Sequence, residues 1–259
     1  MSDSLAFDRA AEYYDATRGF PPGVEAGAVA TIARAGRLDE SCRVLEVGVG
    51  TGRIALPLSH YTGAYVGLDL ARPMMARLRA KSRGEVIRLL EGDATRLPFP
   101  AGTFDAVISV HVFHLIPTWP EVLREIARVL RPGCPLINAY NRYDDTFAPA
   151  WEAFNAFVAR ETVEHPGVRR DQFDRFLPDS GWRLVADETY AYAQDVAPQR
   201  LIDQVRGRMW STMWRVPEDV LVRAVAALEA AMTAHFGDPA QAVAQQCAFR
   251  AQAFLPPGE

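Results

Sequence analysis

The sequence predicts an α/β fold: a doubly wound, mostly parallel sheet of seven strands with an inserted helical cap. Three observations carry this. The first is Cys42-Arg-Val-Leu-Glu-Val-Gly-Val-Gly-Thr-Gly-Arg53, where a short apolar run breaks into Gly48, Gly50 and Gly52 before Ile54-Ala-Leu starts a helical pattern. That order reads as strand, glycine turn and helix N-terminus. The second is Asp69, which ends the next apolar run, Ala64-Tyr-Val-Gly-Leu-Asp69, roughly 20 residues further on. The third is rhythm, because strand-like and helix-like patterns alternate up to residue 140, as parallel strands with covering helices require.

Taken in order, Phe7 to Arg18 reads as a short helix closed by Gly19 and Pro21-Pro22, with Phe7, Ala11 and Tyr14 facing inward. Val24 to Arg37 is an Ala-rich helix that packs on the sheet. Ile54 to His60 follows the glycine turn. Ala71 to Lys81 follows Asp69, with Pro73 early in the helix where its missing donor does no harm. Val86 to Leu90 is the third strand, with Gly92-Asp93 at its end, and Phe104 to Val110 the fourth. Trp119 to Leu130 has helical spacing and stops at Arg131-Pro-Gly133, and Pro135 to Tyr140 is the fifth strand.

The segment 141–180 is longer than an ordinary connection, which marks it as the cap. Trp151, Phe154, Phe157 and Val158 share a helical stripe, followed by His165-Pro-Gly167 and then Phe173, Phe176 and Leu177; these aromatics are expected to form the cap's own core. Trp182 to Tyr192 is the sixth strand, Gln199 to Met209 a helix, Glu218 to His235 another, and Gln241 to Leu255 the last strand. Met209-Trp-Ser-Thr-Met-Trp214 packs internally or lines a substrate pocket. The expected organisation is a core with an N-terminal lid helix over 1–140, the cap over 141–180, and the rest of the core over 181–259.

A chain of 259 residues with 49% hydrophobic and 23% charged residues is ordinary for a globular protein. Its net charge of -4 argues against a surface built to neutralise a phosphate backbone, so nucleic acid is not expected as a partner. No apolar run is long enough to span a bilayer, and the first residues lack a basic segment followed by an apolar core; the reading is cytoplasmic, with no membrane span. Cys42, Cys134 and Cys247 share no metal-ligand spacing and read as buried free thiols. The five histidines are equally scattered, so no metal is expected.

Glycines at the strand end let a ligand approach bare backbone, and the Asp69 carboxylate is placed to accept bonds from both hydroxyls of a ribose. The spacing is one residue tighter than the dinucleotide fingerprint, and Glu46 sits two residues before the first glycine. Met74 fills the core or touches a ligand ring. His111 and His114 follow the fourth strand, near the point where strand order reverses. Each is a candidate catalytic base or a satisfied structural residue.

Val44-Leu-Glu-Val-Gly-Val-Gly-Thr-Gly52, Val66-Gly-Leu-Asp-Leu70, Glu91-Gly-Asp-Ala-Thr-Arg-Leu-Pro-Phe-Pro100 with Phe104-Asp-Ala-Val-Ile-Ser109, and Leu130-Arg-Pro-Gly133 resemble, in order, motifs of the class I S-adenosylmethionine (SAM) dependent methyltransferases. The resemblance covers residues 7 to 140 and points to the small-molecule, ubiquinone/menaquinone-methyltransferase-like subgroup. It implies a Rossmann-like fold, SAM as cofactor and S-adenosylhomocysteine (SAH) as product. It further implies that Glu46, Gly48, Gly50, Gly52, Asp69, Leu70, Met74, Asp93, Ala94 and Val110 surround the cofactor. Asp93 would accept from the adenine amino group and the Ala94 N–H would meet a ring nitrogen. Arg18 would meet the methionine carboxylate, with the Tyr14 hydroxyl nearby.

His111-Val-Phe-His114 departs from the Asn/Asp-Pro-Pro-Tyr/Phe tetrad of methyltransferases acting on adenine bases or glutamine side chains, which argues against those substrate classes. The cap, the Trp210 and Trp214 region and the absence of a basic face favour a small, partly apolar methyl acceptor, methylated at oxygen, nitrogen or carbon. A SAM-binding sensor without turnover is the alternative. A nucleotide-dependent oxidoreductase is opposed by the early third glycine.

Overall fold

The computed structural model describes residue 8, residues 10–158 and residues 167–258. Phe7 and His165, expected in the lid helix and the cap, lie outside them. The strands β1 (Arg43–Val47), β2 (Ala64–Asp69), β3 (Ile87–Glu91), β4 (Ala106–Val110), β5 (Leu136–Tyr143), β6 (Arg183–Val196) and β7 (Val243–Leu255) form one sheet in the order β3-β2-β1-β4-β5-β7-β6. Parallel registers join β1 to β2 and β4, β2 to β3, and β4 to β5. Strand order reverses between β1 and β4, so their carboxyl ends flank the switch point of a doubly wound fold.

The described chain divides into two compact units. The first takes residues within 8–141, 167–190 and 249–258, and the second residues 142–158 and 191–248. The expected cap, 141–180, is therefore shared between them.

In the first unit, every residue of β4 is buried, as is β1 after Arg43, because both strands lie centrally and are covered on two faces. The helices are α1 (Tyr14–Arg18), α2 (Glu25–Gly36), α3 (Ala55–Leu58), α4 (Arg72–Lys81), α5 (Trp119–Val129) and α6 (Arg170–Asp179). In α5 the residues Val122, Leu123, Ile126 and Val129 bury one stripe, and Pro120 sits in the first turn where no intrahelical donor is lost. α2 buries Ala28, Val29, Ile32 and Ala35 and ends on Arg37 in the left-handed region (φ 50°), whose N–H closes on the Ala33 carbonyl.

Three sequence expectations are corrected. The single helix expected over Phe7 to Arg18 is interrupted, since among the described residues Asp8 and Ala10 are helical, Ala11 to Tyr13 form turns, and helix resumes in α1. Phe173 and Leu177 do not belong to a separate cap core. They are buried in the first unit, where Phe173 stacks on Phe113 with centroids 4.6 Å apart and meets Trp119 at 5.8 Å. A one-turn 3-10 helix, Phe113–Leu115, turns Phe113 inward and creates that partner. Only Cys247 of the three cysteines is buried; Cys42 and Cys134 are half-buried because they lie in the connections just ahead of β1 and β5.

The second unit has α7 (Ala148–Asn155), α8 (Pro198–Arg206) and α9 (Glu218–Phe236). Its core joins Phe147, Phe154, Val158, Ile202, Val205, Leu221, Leu228 and Met232. Phe157, expected on the inward stripe with Phe154, is 47% exposed, because α7 ends at Asn155 and the chain leaves the helical register. Met213 is buried, Trp210 tilts against Trp151 at 5.2 Å, and the Trp214 indole donates to the Arg208 carbonyl at 2.8 Å.

Candidate active site at the ends of β1, β2 and β4

β1 ends at Val47 and the chain turns sharply. The Gly48 and Val49 N–H groups both donate to the Leu68 carbonyl, at 2.8 and 3.1 Å, which ties the turn to the end of β2. Gly48, Gly50 and Gly52 all have positive φ (74°, 55° and 79°), but the reasons for glycine differ. A Cβ on Gly48 would lie 2.5 Å from a Val112 methyl, and one on Gly52 2.5 Å from Leu78, so these two are demanded by packing inside the fold. A Cβ on Gly50 would meet nothing nearer than the Met74 methyl at 3.6 Å, so Gly50 is the glycine that presents open backbone.

Asp69 closes the turn from below. Its two oxygens accept from the N–H of Gly50 at 2.7 Å and of Ala71 at 2.8 Å. Burial pushes its carboxyl up, while these backbone donors pull the other way. The carboxylate is thereby fixed in place, and each oxygen keeps a lone pair for a further donor. Leu70 beside it is 52% exposed. Met74 is buried with Ala11, Ala71 and Tyr14, which places Tyr14 of α1 against the first turn of α4. After β3, Asp93 has its Oδ1 accepting from the Thr95 N–H at 2.9 Å, a turn-capping bond that leaves Oδ2 outside the pair. Ala94 is buried, as is Val110 at the end of β4, in register with Ala139.

Glu46 is different in kind. It is 2% exposed and accepts from the Tyr65 hydroxyl of the neighbouring β2 at 2.7 Å. Burial, opposed by that bond and by the charge of Arg53, lifts its carboxyl from an ordinary 4.5 to about 8. It supports the turn from within.

α1 is fastened to the turn by Asp15, which accepts from the Thr51 hydroxyl at 2.5 Å and from the Lys81 ammonium at 2.7 Å. The Arg53 guanidinium donates to the Arg18 carbonyl at 2.5 Å and lies over the Phe20 ring, 4.6 Å from its centroid. Neither Asp15 nor Arg53 stands out in the sequence. Arg53 follows the third glycine directly, which is the signal that marks it in retrospect.

His111 has φ 57°, left-handed backbone in which Asn, Asp and His are enriched among non-glycine residues. Its Nε2 accepts from the Asn141 N–H at 3.2 Å. Burial, then the neighbouring Arg53, His114, Arg170 and Arg18, hold its pKa well below the usual imidazole value. His111 is therefore neutral at physiological pH, with Nε2 engaged by backbone. The His114 carbonyl accepts from the Gly167 N–H at 2.8 Å.

Residues 45–137 match the family model described as a methyltransferase domain. Demethylmenaquinone methyltransferase of Thermus thermophilus is 44% identical over 99 residues, which cover 37% of this chain and 45% of that protein. The chain spans about half the length of the curated relatives it matches. In the solved structures, the YcgJ protein of Bacillus subtilis has TM-score 0.61 at 19% identity, covering 90% of this chain and 99% of that one. Phosphoethanolamine N-methyltransferase 2 of Haemonchus contortus, solved with phosphomonomethylethanolamine and SAH, has TM-score 0.56 at 17% identity, covering 96% and 58%. These structures establish the fold.

The matched segment contains every residue of the turn and the acids that flank it, whereas α1 precedes it and α6 follows it. Among the described residues, no group of three or more His, Cys, Asp or Glu is arranged to hold a metal ion. No described helix is long and apolar enough to cross a membrane.

Proposed function

We propose that the protein transfers a methyl group from SAM to a small-molecule acceptor. The observation that carries this reading is the pairing of Gly50 with Asp69: an open glycine face beside a carboxylate that its own backbone holds rigid. A SAM molecule fits such a cradle, because the adenosine needs an acceptor for its two ribose hydroxyls and a surface without a Cβ. When bound, SAM supplies a sulfonium-activated methyl that needs little covalent help from the protein.

The residues then have separable roles. Asp69 accepts from the ribose, the outer oxygen of Asp93 accepts from the adenine amino group, and Leu70 and Met74 flank the base. Arg18, brought to the turn by α1 and joined there by Arg53, meets the methionine carboxylate with a planar fork. Asp15 keeps α1 over the turn, which excludes water and holds donor and acceptor in line. Alignment of that kind supplies roughly 7–11 kcal/mol in well-ordered intramolecular reactions, so a dedicated base is not required. His111, neutral and bonded to backbone through Nε2, is a positioning residue in this scheme. His114 remains the candidate base for acceptors that must lose a proton.

Calorimetric titration with SAH is expected to give a saturable one-to-one isotherm. Incubation with methyl-labelled SAM and a metabolite extract is expected to move label into a small organic product. Absence of SAH binding would overturn the cofactor assignment, and tight binding with no transfer to any acceptor would make the chain a SAM sensor.

A further inference from the structure

The chain comes back to the turn that carries His111 and His114 just ahead of α6. Gly167 donates its N–H to the His114 carbonyl at 2.8 Å, and Val168 donates to the Phe113 carbonyl at 3.3 Å. The two backbones lie so close that a Cβ on Gly167 would stand 2.1 Å from the Phe113 oxygen and 2.6 Å from the His114 carbonyl carbon. Both are main-chain atoms, which cannot swing aside as the end of a side chain can. Gly167 does not share the positive φ of Gly48, Gly50 and Gly52, so alanine is compatible with its own backbone. Glycine is demanded there by the turn it touches.

The same turn meets a second glycine. Val112, between the two histidines, fills the place that a Cβ on Gly48 would take, 2.5 Å from its methyl. The histidine turn therefore packs on the glycine turn at one residue and on Gly167 at the next two. Its own structure is slight: a single 3-10 turn over Phe113–Leu115, closed by the Leu115 N–H on the Val112 carbonyl at 2.8 Å and by the Ile116 N–H on the Phe113 carbonyl at 3.4 Å. The chain on the far side of the contact is better anchored. Val168 is 5% exposed and Phe173 3%, in the core that also takes in Val112 and Phe113, and α6 adds the fully buried Leu177. If the two backbones are forced apart, the short turn is the side that yields.

A Cβ needs at least 3.0 Å from a neighbouring atom, so a methyl at Gly167 would displace the turn by about 1 Å and open the 2.8 Å bond to His114. Where a reaction depends on alignment, a misplacement of that size costs on the order of 10²-fold in rate. Resting on the methyl-transfer reading, we infer that Gly167 is a positioning residue for the acceptor side of the site, its bare backbone fixing where the turn bearing His111 and His114 stands. It touches neither cofactor nor acceptor in this proposal and acts through the turn alone.

The test uses the full chain. SAH calorimetry comes first and reports on the cofactor reading alone; initial rates of label transfer from methyl-labelled SAM into a dilution series of metabolite extract follow. Gly167→Ala is expected to bind SAH within about twofold of the parent and to transfer label roughly 100-fold more slowly at saturating SAM. The imidazole proton resonances of His111 and His114, assigned with His111→Asn and His114→Gln, should move while that of His60 stays. Leu177→Ala opens a cavity in the same core but leaves both backbone partners in place, so it is expected to lower the melting temperature at least as far and to keep transfer within about threefold. Should Gly167→Ala not fold, Phe113→Leu, which loosens the same turn without a clash, is read by the same measures. Transfer by Gly167→Ala within threefold of the parent, a loss that Leu177→Ala shares in equal measure, or a loss with both resonances unmoved would overturn the inference while the SAM reading stands. If the parent binds no SAH, or binds it and labels nothing, the reading beneath falls first and takes the inference with it.

Discussion

Replacing Glu46 by Gln tests the electrostatics of the turn most directly. The carboxyl is lifted to about 8 in the folded protein and returns to about 4.5 on unfolding. Between those values the native state keeps a proton that the unfolded chain gives up, so this group's contribution to stability is greatest below pH 4.5 and falls as pH rises towards 8. One unit of pKa corresponds to about 1.4 kcal/mol, and integrating from pH 5 to pH 7 gives a loss of roughly 2.5 kcal/mol from this single group. The amide of the Glu46→Gln variant is isosteric with the carboxyl and still accepts from the Tyr65 hydroxyl, but it cannot titrate. The stability of Glu46→Gln relative to the parent is therefore expected to rise by roughly 2.5 kcal/mol across that interval, whatever the constant offset of the amide. Urea unfolding followed by circular dichroism at pH 5, 6, 7 and 8 gives both curves, and titrations elsewhere cancel in the difference. Two curves that run parallel would refute the buried neutral carboxyl.

The glycine turn gives a paired prediction. Gly48→Ala should cost roughly 2–3 kcal/mol, because its methyl would strike Val112 2.5 Å away in a left-handed backbone. Gly50→Ala should cost only about 1 kcal/mol of stability, yet weaken SAH binding roughly tenfold or more, since its methyl would enter the space opposite Asp69. Thermal melts and calorimetry separate the two, and equal effects of both substitutions on SAH would deny Gly50 its special place. At His111, Ala should lose about 1–2 kcal/mol through left-handed strain and the orphaned Asn141 N–H, while Asn, which tolerates that backbone, should lose less. The pH profile of methyl transfer should contain no neutral inflection that His111→Asn removes; losing one would restore His111 as a base.

How far the sequence could be read follows from how local each signal is. Gly48, Gly50, Gly52 and Asp69 are visible because a strand, a turn and a second strand end lie within one short stretch of chain, and periodicity alone sets them side by side. The same pattern cannot say that Gly48 and Gly52 answer to Val112 and Leu78 while Gly50 alone faces open space, since those partners come from β4's exit and from α4. Phe173 reads as part of a cap because it lies in an overlong connection, yet its partner Phe113 sits 60 residues earlier, turned inward by a single 3-10 turn that has no sequence signature.

Charged residues are the least legible class. A helix face rich in arginine looks solvated whether or not one member lies over a buried ring. Tyr140, Arg250 and Asp187 come from three strands of the sheet, and their meeting fixes the buried ring over which the exposed Arg170 guanidinium lies. The glycine turn is built from backbone and neighbouring acids and so is written locally. The ring beneath Arg170 is held by residues of distant strands, which is why it is far less legible than the glycine turn.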